Sequence, residues 1–218
     1  MAGDNRLISG LYAITDAHLM PEPVFLARAE AALRGGARIL QYRDKGDAVT
    51  DARRRRMQAG ALRELCAQYD ALFVVNDDPR LARAVGAPAL HVGAEDASPA
   101  ALRAQFGRAI LIGVSCYGSV PQAQEAAARG ADYVAFGSFF ASPSKPQAPV
   151  VSVDVLTAAR AVIDLPIVAI GGITEANGGA LIAAGADALA VISGVFAAED
   201  VEGAARRLTA LFSNRKER

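Results

Sequence analysis

The apolar positions of this chain fall into short runs rich in Val, Ile and Ala, separated by stretches in which apolar residues recur at helical spacing. The runs are LYAIT at 11–15, ARILQYR at 37–43, LFVVN at 72–76, ALHVG at 89–93, AILIGVS at 109–115, DYVAFGS at 132–138, PIVAIGG at 166–172 and ALAVISG at 188–194. Runs of this length and composition predict eight buried β-strands. Segments such as PEPVFLARAEAALRGG and VPQAQEAAARG predict helices, and both end at glycine, which suits a helix C-terminus. Alternation of strand and helix implies parallel pairing, because parallel neighbours need a crossover connection. The pair Gly-Ala recurs at 36–37, 86–87, 130–131 and 185–186, each time between a helix and the strand after it. Eight repeats in about 200 residues favour a closed (β/α)8 TIM barrel over an open doubly wound sheet.

Composition narrows the class further. The 218 residues suffice for one large core, and no linker divides them, so a single domain over 1–218 is expected, with short flexible tails at 1–9 and 213–218. Lys+Arg and Asp+Glu balance at 23 each, which removes any global electrostatic case for nucleic acid or an anionic membrane as partner. The opening MAGDNRLISG lacks an apolar signal core, and no apolar run reaches the roughly 18 residues of a membrane span, so a cytoplasmic protein is expected. Cys66 and Cys116 form no metal or disulfide pattern and read as buried small residues. Homo-oligomerisation stays open.

In a barrel of this kind the active site is built from the loops that follow the strands. The second run ends in Gln41-Tyr42-Arg43-Asp44-Lys45, and strand alternation would put Gln41, Arg43 and Lys45 on one face. The third and fourth runs lead into Asn76-Asp77-Asp78 and Gly93-Ala94-Glu95-Asp96, carboxylates that suit Mg2+, although Asp-Asp-Pro also reads as a helix start. The sixth leads into Ser142-Pro143-Ser144-Lys145, a candidate anion cradle, and a mobile loop is expected around 139–149. After the last two runs, Gly171-Gly172 and Ile192-Ser193-Gly194 would let backbone N–H groups approach a phosphate. His91 reads as a satisfied core histidine and His18 as a loop residue, while Arg53 to Arg56 read as the wet face of a helix. Ser115 is a better phosphate ligand than nucleophile, since no histidine stands in a supporting pattern.

Taken in order, the segments LYAITD, QYRDK, VVNDDPRLA, ALHVGAED, LIGVSCY, GADYVAFGSFFASPSKP, PIVAIGGIT and LAVISGVF resemble the thiamine phosphate synthase family. The resemblance implies a barrel enzyme that joins a pyrimidine methyl diphosphate to a thiazole phosphate, giving thiamine phosphate and pyrophosphate. It implies that Gln41, Arg43, Lys45, Asn76, Ser115 and Lys145 hold the diphosphate substrate, with Arg43, Lys45 and Lys145 supplying the catalytic positive field. It implies Asp77 and Asp96 as Mg2+ ligands, and Ser142, Ser144, Gly172, Ile192 and Ser193 as contacts of the thiazole phosphate. Ala94 stands where the family commonly has Gln, and Ser142 and Ser144 where it often has Thr. Tyr42 replaces a frequent aliphatic residue, and alternation points it away from the mouth. A related thiazole tautomerase shares the barrel but is not expected to keep Lys45, Asp96 and Lys145 together. A barrel that only binds a phosphorylated ligand would lose the metal carboxylates or the diphosphate cations.

Overall fold

Each predicted run becomes a strand, and the last strand pairs with the first. The computed structural model describes residues 7–46, 51–93, 96–141 and 149–213. The strands are β1 Gly10–Ile14, β2 Ile39–Tyr42, β3 Leu72–Asn76, β4 Ala89–Val92, β5 Leu111–Tyr117, β6 Tyr133–Phe136, β7 Ile167–Ile170 and β8 Ala188–Val191. They form a closed parallel barrel in sequence order, with β1 paired to both β2 and β8. The helices are α1 Phe25–Arg34, α2 Ala52–Gln68, α3 Pro79–Val85, α4 Pro99–Phe106, α5 Val120–Ala128, α6 Asp154–Arg160, α7 Gly178–Ala183, α8 Ser193–Phe196 and α9 Val201–Ala210. Most strands are shorter than the apolar runs that contain them. Gly171 and Gly172, for instance, have φ of +107° and +61°, so the chain leaves the β region at once after Ile170. By contrast, β5 runs two residues beyond its predicted end, through an irregularity between Ser115 and Tyr117.

The recurring Gly-Ala pair has a physical basis. Gly36, Gly86, Gly130 and Gly185 all have positive φ. The alanines after them, Ala37, Ala87, Ala131 and Ala186, donate their N–H groups back to Ala32, Ala82, Ala126 and Leu181. A left-handed residue followed by this long backbone bond is the Schellman stop, which satisfies a free helix carbonyl and turns the chain toward the next strand. The alanines are buried at the turn.

At two of these junctions an aspartate extends the device. Asp132 pairs with Arg103 of α4 and accepts the N–H of Ile112, while Arg103 also donates to the carbonyls of Gly130 and Ile110. Asp187 pairs with Arg160 of α6 and accepts the N–H of Ile167, and Arg160 likewise donates to Gly185 and Leu165. The same clamp thus ties helix, strand and turn together at β5–β6 and again at β7–β8.

Closure sorts each strand's side chains into two cores. Leu11, Leu40, Phe73, Leu90, Val134 and Leu189 face the helices, whereas Tyr12, Ile39, Val74, Ala89, Tyr133, Val168 and Ala188 fill the interior. Gly113 of β5 is required by this filling, because a Cβ there would lie within the Tyr133 ring. Ile8, only 3% exposed, also joins the interior core, so packing begins inside the segment expected as a tail. Among the described residues no helix is long and apolar enough to cross a membrane.

Asp132→Ala removes the partner of Arg103 and leaves the Ile112 N–H without its acceptor, so it should destabilise the fold by about 2 kcal/mol in urea unfolding. Asp132→Asn keeps an acceptor and should lose less. Equal losses in the two variants would show that the ion pair, rather than the backbone acceptor, carries the effect.

Candidate functional site

A cavity of about 370 Å3 opens at the C-terminal ends of the strands. Its walls follow from which interior positions the sequence makes polar. Gln41 on β2, Asn76 on β3, His91 on β4 and Ser115 on β5 line one side, and Ile14, Val168, Ile170, Ala190 and Ile192 line the other. One wall is therefore polar and the other apolar.

Arg43 sits one residue beyond β2 at the cavity edge, and Thr15 secures its backbone at both ends. The Thr15 hydroxyl accepts the Arg43 N–H at 2.9 Å and donates to the Arg43 carbonyl at 3.2 Å. The guanidinium lies 3.5 Å from the Asp16 carboxylate. Lys45 does not share the face of Gln41 and Arg43 as alternation predicted. Because β2 ends at Tyr42, the periodicity stops before Lys45, and its ammonium instead reaches Asp77 at 2.7 Å in an adjoining cleft. Tyr42 does point away from the mouth: its ring meets Phe25 edge-on, and its hydroxyl bonds Gln58.

The two neighbouring aspartates play different parts. Asp78 caps α3 by accepting the Leu81 N–H at 2.9 Å, and it pairs with Arg55 at 3.2 Å. Arg55 is therefore buried, which corrects the reading of Arg53 to Arg56 as a uniformly wet face, and Arg54 is likewise engaged by Asp44 and Asp51. Asp77 has φ of +59°, a left-handed conformation that turns it out of the strand direction. Its carboxylate accepts from Lys45 and, at 2.6 Å, from Asn76, and the Asp96 carboxyl is its neighbour. Burial pushes the Asp77 carboxyl up, but Lys45 and its hydrogen bonds outweigh this and hold it below the usual range. Asp96 is raised by burial and by the adjacent Asp77 charge, although the Gly93 N–H opposes this. Two neighbouring carboxyl groups form an oxygen donor set that a hard divalent cation would satisfy. Among the described residues no group of three or more His, Cys, Asp or Glu is placed to hold a metal.

After β7, a Cβ on Gly171 or Gly172 would run into Ser138 or Ala141, so these glycines let two loops touch. Ile192 lines the cavity, and Ser193 begins α8. Phe139, 2% exposed, and Phe140 donate their N–H groups to Ile170 and Gly171, which packs the start of the loop expected to move. Ser142, Ser144 and Lys145 lie outside the described residues, as does Ala94.

His91 is buried and satisfied, as its sequence context suggested, yet it also lines the cavity. Burial pushes its pKa down to about 4 against the pull of the Asp77 charge, so the ring is neutral. Its partners are Tyr133 and Ser115. Tyr12, Tyr133, Thr15 and Tyr117 escaped sequence reading as site residues. Applying the period of two to β1, β4 and β6 as well as β2 would have placed Tyr12, His91 and Tyr133 inside. Nothing local marks Tyr117, which sits half-exposed at the rim with φ of +52°. Burial pushes the thiols of Cys66 and Cys116 up to about 12, which favours the protonated form at neutral pH.

A family model described as thiamine monophosphate synthase matches residues 11–195. A thiamine-phosphate synthase of Acidithiobacillus ferrooxidans is 94% identical over 217 residues, covering 100% of each chain. Another, of Thioalkalivibrio sulfidiphilus, is 50% identical over 97% of this chain and 99% of its own. The solved thiamine phosphate pyrophosphorylase from Pyrococcus furiosus matches with a TM-score of 0.84 at 35% identity, covering 94% of this chain and 96% of that one.

The low His91 pKa predicts a specific acid sensitivity. The unfolded imidazole binds a proton near 6.5 and the folded one only near 4, so stability is complete above 6.5 and falls as pH drops toward 4. This single group should account for a loss of roughly 3 kcal/mol at most. Urea midpoints measured across that range should fall less steeply for His91→Gln than for the wild type. Parallel curves would contradict the assignment.

Proposed function

From the premise that the chain belongs to the thiamine monophosphate synthase family, we propose that its barrel mouth holds a pyrimidine methyl diphosphate against a thiazole phosphate and joins them. The activity is that of a thiamine-phosphate synthase, a transferase of thiamine biosynthesis. The observation that carries the finer reading is the split of the mouth: polar and charged groups stand at and beyond the ends of β2 to β5, and Ile14, Val168, Ile170, Ala190 and Ile192, on or just beyond β1, β7 and β8, form an apolar wall.

In this reading Gln41, Asn76 and Ser115 bind the pyrimidine diphosphate, together with Arg43, Lys45 and Lys145. The bond between the pyrimidine methylene carbon and the diphosphate oxygen breaks, and its electron pair leaves with pyrophosphate. The thiazole nitrogen then gives its lone pair to that carbon. No base or nucleophile is required, so the protein's work is to position both partners and to stabilise the charge that grows on the leaving group. Arg43 is preset for this by Thr15, and its charge is only partly offset by Asp16 at 3.5 Å.

Asp77 and Asp96 would hold Mg2+, with Asn76 and Lys45 keeping Asp77 ionised. When bound, the ion supplies further positive charge to the diphosphate. Ser142, Ser144, Gly172, Ile192 and Ser193 take the thiazole phosphate in the same reading. The free, buried Cys66 and Cys116 agree with a reducing compartment, and the enzyme is taken as cytoplasmic.

Purified protein given both phosphorylated substrates and Mg2+ should form thiamine phosphate, detected after oxidation to fluorescent thiochrome. A chelator should abolish the reaction, and added Mg2+ should restore it. Arg43→Ala, Asp77→Ala and Lys145→Ala should each lower kcat/KM by about 100-fold or more while the fold persists. Wild-type rates in all three would overturn the site, and absence of product from the unaltered protein would overturn the function.

A further inference from the structure

Five side chains from five strands form a continuous line across the cavity floor. Gln41 Nε2 donates to the Tyr12 hydroxyl at 2.7 Å. The hydroxyls of Tyr12 and Tyr133 are 3.1 Å apart, and the Tyr133 hydroxyl is 3.1 Å from His91 Nδ1. His91 Nε2 is in turn 2.9 Å from Ser115 Oγ. The three middle members are buried, and Tyr133 is wholly enclosed beneath the cavity.

The direction of the protons follows from what each atom is able to do. An amide nitrogen only donates, so the Tyr12 oxygen accepts from Gln41. If Tyr12 then donates to Tyr133, and Tyr133 to His91 Nδ1, the ring carries its proton on Nε2 and donates to Ser115. Every link is filled, and Ser115 keeps its own proton for the cavity. In the opposite sense Tyr12 would accept twice, and its own proton would have no acceptor among the described residues at a site only 1% exposed. Ser115 would also turn its lone pairs toward a bound anion.

We propose that this line is a one-way hydrogen-bond relay that fixes Ser115 as a donor to the departing diphosphate and leaves the Gln41 carbonyl oxygen free to accept from the pyrimidine amino group. Tyr12, Tyr133 and His91 are positioning residues that act through these two ends. No proton changes owner; the aligned links polarise one another, which strengthens the Ser115 bond as charge grows on the leaving oxygen. The proposal rests on the placement of the pyrimidine diphosphate between Gln41 and Ser115 given above.

Two measurements separate the relay from that placement. The chain has only two histidines, His91 and the exposed His18, so 15N NMR of the free wild-type protein reads the His91 tautomer without any assay of activity. A proton on Nε2 is expected, and a proton on Nδ1 overturns the relay whatever the enzyme's activity. Tyr133→Phe should lower kcat about tenfold and leave both KM values unchanged. In a Ser115→Ala background the same substitution should change kcat by clearly less than about tenfold, since the Ser115 end of the relay is already gone and only the Gln41 end remains. A wild-type rate for Tyr133→Phe, or a full tenfold loss repeated in the Ser115→Ala background, overturns the proposal. Failure of the wild type to make thiamine phosphate would instead sink the placement.

Discussion

Closing eight parallel strands on themselves forces every strand to send alternate side chains inward and outward, and the site depends on that constraint. A barrel interior is a packed core, so each inward position must be apolar, absent or hydrogen-bonded. The lower part meets this with Ile39, Val74, Ala89, Val168 and Ala188, and with the Tyr133 ring laid over Gly113. The upper part on β2 to β5 meets it with polar groups that satisfy one another and present their free atoms to the cavity. The polar wall is therefore part of the core as well as part of the site.

The charged groups lie one step further out. Asp77 leaves the strand by a left-handed residue, and this single backbone turn separates its carboxylate from that of Asp78, which caps α3 and holds Arg55. Lys45, Asn76 and Asp96 then gather on Asp77. Burial and charge act in opposite directions on neighbouring groups: His91 is held neutral beneath a carboxylate that is held ionised. A neutral floor thus lies under a charged rim.

The barrel was legible because Val, Ile and Ala runs of strand length alternate with amphipathic segments, and because each Gly-Ala pair marks a Schellman stop. Strand ends were less legible, since an apolar run continues into its glycine turn without changing composition. The position of Lys45 is hidden for that reason: a period of two holds only while the chain is extended, and β2 stops at Tyr42. The burial of Arg55 is not legible because its partner Asp78 follows the next strand, and a charge run alone does not reveal a distant counter-charge. His91 was recognised as satisfied, but the partners that join it to the site come from β5 and β6 and meet it only after closure.

The most direct test of the division into a neutral floor and a charged rim is a crystal structure of the protein with Mn2+, pyrophosphate and thiamine phosphate, using the anomalous signal to locate the metal. The account predicts the metal between Asp77 and Asp96, pyrophosphate reaching from it to Arg43, and the pyrimidine between Gln41 and Ser115. Metal bound elsewhere, or pyrophosphate seated against the apolar wall of β7 and β8, would contradict it.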